Sequence, residues 1–158
     1  MQTLRLVLGD QLNASHPWFD AVSDEVVYLM AEMRQETDYA PHHVQKVLAF
    51  FAAMRAFAEA RRAEGHEVVY LALDDAKNTQ ELEANVHMVM AEHGCLRFEY
   101  QLPDEWRLDR QLRSLADEFG ELAAAVDTHH FLTQRSDLAT QFKGKKTYLM
   151  ESFYRRMR

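Results

Sequence analysis

The sequence predicts an α/β fold: a five-stranded parallel sheet with helices on both faces. Three observations predict it. Five short apolar runs, rich in Val, Leu and Tyr, occur at 3–8, 25–31, 67–73, 95–101 and 121–127. Segments of helical period or polar turns separate them, and strands that alternate with helices pair in parallel. None of the runs alternates cleanly between apolar and polar residues, which is the pattern of strands covered on both sides. A chain of 158 residues suffices for one domain with a proper core.

The elements follow in order. Leu4 to Leu8 read as a buried strand. Gly9, Asp10, Gln11 and Asn13 come next, a polar turn that either caps a helix or faces a ligand. The connection to the second strand is short, and its His16-Pro17-Trp18-Phe19 predicts no more than a turn or two of helix. After the second strand a polar stretch from Glu32 leads to a helix over 41–64. Pro41 suits a first turn, and Val44, Val47, Leu48, Phe51, Met54 and Ala58 recur at helical spacing up to the stop at Gly65. The third strand is followed by Asp74, Asp75 and Asn78, then by a helix over 79–93 that ends at Gly94. Asp74 or Asp75 would cap that helix. The fourth strand leads through Pro103, Glu105, Trp106 and Arg107 into a helix that Gly120 stops. Thr128, His129 and His130 follow the fifth. A last helix from about Lys146 places Met150, Phe153, Tyr154 and Met157 on one face. Such a face packs on this domain's own sheet or on a further domain.

Composition narrows the function. Hydrophobic residues at 47% and charged residues at 27% describe an ordinary soluble globular protein. No apolar run is long enough to cross a bilayer, and the N-terminus lacks a signal-peptide pattern. Cys95 stands alone, so no disulfide framework exists and a cytoplasmic location is expected. The net charge of −7 hides an asymmetry. Segment 143–158 holds six basic residues and one acid, a net +5, which leaves −12 on the rest. An acidic body of this kind disfavours direct contact with nucleic acid.

In a parallel sheet of this type, ligands bind beyond the carboxyl ends of the strands. The polar residues after the first three strands would converge there. The chain has no G-x-G-x-x-G fingerprint, no Walker loop, no H-E-x-x-H, no Cys/His array and no serine elbow. His42-His43 and His129-His130 are adjacent pairs whose side chains diverge, so no metal site is expected. Asp10 and Asp74 sit where a phosphoacceptor receiver would want them, but no Lys follows the fifth strand.

Taken together, "LVLGDQL", "ETDYAPHH", "KVLAFFAAMRAFAEARR", "LDDAKN", "PDEWR" and "YLMESFYRRMR" are quite specific. In this order and spacing the chain resembles the bacterial photolyase-related proteins. These are the iron–sulfur branch of the cryptochrome/photolyase family, which includes prokaryotic (6-4) photolyases. The resemblance runs from Leu4 to Arg158. It implies a Rossmann-like antenna domain of the photolyase N-terminal type over 1–142. A basic helix over 143–158 would lead to a longer helical domain outside this chain. That domain would hold FAD, a 4Fe–4S cluster and the site for damaged DNA, and it would be this domain's partner. One cysteine cannot supply a four-cysteine cluster, which agrees.

The resemblance also implies a bound 6,7-dimethyl-8-ribityllumazine as antenna chromophore. Carried over by motif, its contacts are Gly9, Asp10, Gln11, Glu36, Tyr39, His42, His43 and Lys46. Tyr39 would stack on the ring, and Asp10, Gln11 and Glu36 would bond the polyhydroxyl chain. Pro41, inside the motif, departs modestly from the family pattern. The expected function is light harvesting for DNA photorepair or light signalling, with no catalytic residue and no membrane contact. Two alternatives stand beside it: a chromophore-free structural domain, and a stand-alone nucleotide- or flavin-binding domain. The exposed last helix would also permit self-association.

Overall fold

A computed structural model describes residues 1–157. Two compact units make up the chain, Met1–Thr128 and a smaller one from His129 onward.

The first unit carries the five-stranded sheet that the sequence predicts. Its strands are β1 (Thr3–Leu6), β2 (Val26–Ala31), β3 (Glu67–Leu71), β4 (Arg97–Gln101) and β5 (Ala123–Val126), in the spatial order β3-β2-β1-β4-β5. All four pairings are parallel. Each pleat sends alternate side chains to opposite faces. Leu4, Leu6, Val27 and Leu29 pack on one face with Val86, Val89, Leu112 and Leu115. Val7, Tyr28 and Met30 pack on the other with Trp18, Phe51, Met54 and Ala58. Two cores therefore sandwich the central strands, which is why β2 reads as an unbroken apolar run.

The helices begin later than the apolar period suggests, and each late start has a local cause. A short α1 (Gln35–Asp38), which periodicity does not announce, precedes the long α2 (Val44–Ala63). His43, in extended backbone, caps α2 by accepting from the Gln45 amide through Nδ1 at 3.2 Å. Pro41 and His42 thus stand before the helix and not in its first turn. Helix α3 (Leu82–His93) starts after Gln80, whose φ of 63° is left-handed and incompatible with a helix. Neither Asp74 nor Asp75 caps it; Asp75 instead closes a turn by accepting from the Lys77 amide at 2.9 Å. Helix α4 (Trp106–Phe119) is capped by Glu105, which accepts from the amides of Arg107 and Leu108 at 3.1 Å each. The β1–β2 crossover is the single 3₁₀ turn Pro17–Phe19, capped by the buried His16.

The second unit holds α5 (Asp137–Gln141) and α6 (Met150–Met157). Within it, Phe142 and Tyr148 meet edge to face at 5.3 Å. Met150 and Tyr154 are exposed on α6.

Candidate functional site

Strand β1 lies where the strand order turns, with β2 on one side and β4 on the other. Open α/β sheets bind ligands beyond the strand ends at such a point. A cavity of about 210 Å³ opens there. The β1 loop contributes Gly9 and Asp10, the β2 loop Met33, α1 and its C-cap Gln35, Glu36 and Tyr39, α2 Phe50 and Met54, and the start of α4 Glu105 and Arg107.

Gly9 is there because nothing larger fits. A Cβ at this position would collide with the Phe50 ring and lie 2.7 Å from Met54 Sδ. Its bareness lets α2 approach the sheet and leaves the floor of the cavity open.

A buried carboxylate holds the second wall. Glu32, immediately after β2, is fully buried. It accepts from Arg55 Nε at 2.5 Å and Nη2 at 2.8 Å, from the Tyr70 hydroxyl at 2.6 Å, and from the Leu73 amide at 2.8 Å. Burial acts to raise its pKa, but these donors win and hold it below the ordinary value. Burial, and then the bond to Glu32, push the Tyr70 hydroxyl well up. Asn78 adds a bond from Nδ2 to the Glu32 carbonyl at 2.7 Å. The β2 loop therefore leaves the sheet in one fixed direction, and α1 presents Glu36 to the cavity.

Glu36 behaves in the opposite way. Burial raises its pKa, the Asp10 and Glu105 charges raise it further, and Gln35 and Arg107 offset this only in part. Tyr39 follows, 54% exposed. The Arg107 guanidinium lies over its ring at 4.5 Å while donating through Nε to Glu105 at 2.9 Å. A cation on an aromatic face is a favourable contact that joins two loops 68 positions apart in sequence. Tyr39 also meets His42 edge to face at 5.0 Å.

A second cavity of about 100 Å³ shares Glu36, Tyr39 and Phe50 with the first and adds His42 and Lys46. Lys46 Nζ lies 3.2 Å from His42 Nδ1. An ammonium only donates, so Nδ1 accepts and the proton of a neutral His42 sits on Nε2. That Nε2 is buried with no partner in the protein.

Of the residues singled out in the sequence, Gly9, Asp10, Glu36 and Tyr39 meet at the first cavity, and His42 and Lys46 join at the second. Gln11 and His43 line neither. Gln11, 1% exposed, ties the strand ends together: its Oε1 accepts from the Leu8 amide and its Nε2 donates to the Gln101 carbonyl. His43 is spent on the α2 cap. Arg107 is the residue that motif transfer missed, although its place just after the fourth strand was the available signal. Among the described residues, no group of three or more His, Cys, Asp or Glu could hold a metal ion.

A sequence model of the deoxyribodipyrimidine photo-lyase-related proteins matches residues 5–158. The chain belongs to this family. It is also 33% identical over 159 aligned residues to a (6-4) photolyase of Agrobacterium fabrum strain C58. That alignment covers all of this chain and 31% of the relative, so the chain spans about a third of that protein's length. In this photolyase-related chain the two cavities sit within the quoted motifs: "GDQL" supplies the β1 loop, "ETDY" the β2 loop and "PDEWR" the third wall. Among the described residues no helix is long and apolar enough to cross a membrane.

Proposed function

We propose that this chain is the light-harvesting unit of a longer photolyase-type flavoprotein and holds 6,7-dimethyl-8-ribityllumazine at the strand-end cavity. The observation that carries the reading is the convergence of Gly9, Asp10, Glu36 and Tyr39 on one cavity in a chain of this family. The residues suit the group. Tyr39 offers a ring for stacking, and Phe50 and Met54 give apolar walls. Asp10 and Glu36 bring carboxylate oxygens for the hydroxyls of a ribityl chain.

The chromophore, when bound, supplies absorption in the near-ultraviolet or blue. The protein's part is to bind, orient and keep water off. Glu32 fixes the β2 loop, Gly9 leaves room beside Phe50 and Met54, and Arg107 lies over the Tyr39 ring. No bond is made or broken here, so no side chain needs a catalytic role. Excitation would pass to FAD in a helical domain outside this chain, where repair of damaged DNA or signalling would take place.

The test is to incubate the chain with the lumazine, desalt it, and record absorption and fluorescence. Retained absorption near ~400–430 nm, lost in Glu36→Ala and Tyr39→Ala, is the expected result. Retention that survives both substitutions would put the chromophore elsewhere, and no retention at all would remove the antenna reading from this chain.

A further inference from the structure

We infer that Arg107 is a positioning residue of this site: it holds the Tyr39 ring in place before a ligand arrives. The inference deepens the reading above and rests on Tyr39 serving a ligand in the strand-end cavity. Tyr39 needs a hold from outside its own segment. It is the C-cap of α1, a helix of four residues. A single turn is not stable alone, because fixing its residues gains very few hydrogen bonds. No α1 side chain is buried, so packing does not fix the turn either. Upstream, the chain is anchored by Glu32 and by the Arg34 amide, which donates to Gln80 Oε1 at 3.0 Å. Downstream, α2 begins at Val44. Between these anchors the Arg34–Asp38 pair is exposed, and such a pair adds little. Among the described residues the Tyr39 ring meets His42, three positions on, and Arg107, from the start of α4. Of the two, Arg107 is the one that ties the ring to a distant part of the chain.

Arg107 can supply the hold because it is itself held. Glu105 accepts from Arg107 Nε at 2.9 Å while it caps α4 through the amides of Arg107 and Leu108. The guanidinium is thus tied to the first turn of a 14-residue helix. That helix is fixed in turn by Leu112 and Leu115, which lie in the core. From this base the guanidinium reaches to 4.5 Å from the centre of the Tyr39 ring. A guanidinium is planar, so it stacks on the ring as well as attracting its π face, whereas an ammonium does only the second. A ring ordered in advance spares the ligand the cost of ordering it, which raises affinity without any new contact to the ligand.

The test combines Arg107→Met and Arg107→Lys with Tyr39→Leu in the 158-residue chain. Affinity for dimethyl-ribityllumazine, titrated by fluorescence, should fall about three- to tenfold in Arg107→Met and less in Arg107→Lys. In the Tyr39→Leu background the same Arg107→Met change should cost less than about twofold, because the ring it positions is gone. An equal loss in both backgrounds would make Arg107 a direct ligand contact, and no loss in either would leave it without a role; each overturns the inference. A ligand-free arm separates it from the antenna reading. With fluorotyrosine in place of the six tyrosines, the Tyr39 fluorine resonance, assigned by its absence in Tyr39→Leu, should move toward the free amino acid in Arg107→Met while the others stay. If lumazine does not bind but that resonance moves, the antenna reading falls and the hold on Tyr39 stands. A resonance that does not move overturns the inference, whatever lumazine does.

Discussion

Two glutamates four positions apart show how environment assigns a role. Glu32 is ringed by donors and is held ionised; Glu36 is partly buried beside other acids and is pushed toward its neutral form. The signs of their effects on stability are opposite. The folded pKa of Glu32 lies below its unfolded value of about 4.3, so its contribution is complete above that pH and is lost as pH falls through the folded value. The folded pKa of Glu36 lies above its unfolded value, so its ionised form costs stability at neutral pH, and the cost is relieved as pH falls toward the unfolded value. Glu32→Gln at pH 7 should therefore destabilise by about 1–2 kcal/mol, because it removes the charge to which the solvent-facing Arg55, the Tyr70 hydroxyl and the Leu73 amide bond. Glu36→Gln should leave the fold at least as stable as the parent while changing ligand binding. Thermal melts of the three proteins from pH 7 to pH 3.5 check this: both differences should shrink as the carboxyls protonate. A Glu36→Gln protein that melts below the parent at neutral pH would contradict the assignment.

At the scale of elements, the cavity depends on how closely α2 rides over the end of β1. Gly9→Ala inserts a methyl into the contact with Phe50 and Met54, and Met54 is buried with little room to yield. An overpacking cost of about 1–3 kcal/mol is expected, together with weaker lumazine retention as Phe50 is driven into the cavity. Urea melts and the desalting assay measure the two effects, and a Gly9→Ala protein with parental retention would show that the close approach does not shape the site. The same elements mark what sequence can reveal. The strands and the longer helices were legible because apolar period is a local signal, whereas the short α1 and α5 carry no such period. Helix starts were not, because they turn on caps such as His43 and on the left-handed Gln80. Gly9, Asp10, Glu36 and Tyr39 were legible as strand-end residues in a motif. The inward use of Gln11 was not, because its partner Gln101 lies 90 positions away. The stacking of Arg107 on Tyr39 stayed hidden for the same reason.

For the whole molecule, the cavity joins segments that follow β1, β2 and β4, so a ligand there touches both sides of the switch point at once. Opening any one of these loops loses ligand contacts, and unfolding the sheet loses them all. Binding should therefore couple to global unfolding and not only to local loop motion. A ligand that binds the folded state alone stabilises it by about 2.7 kcal/mol at one hundred times its Kd. For a chain of this size that corresponds to a rise in Tm of roughly 5–10 °C. The lining residues named above and both hydrophobic cores lie within Met1–Thr128. The rise should then be the same, within a degree or two, in the 158-residue chain and in one ending at Thr128. Differential scanning fluorimetry of both, with and without dimethyl-ribityllumazine, reads it directly. A rise confined to the longer chain would mean that residues after Thr128 complete the site, and the assignment of the cavity to the first unit alone would be wrong.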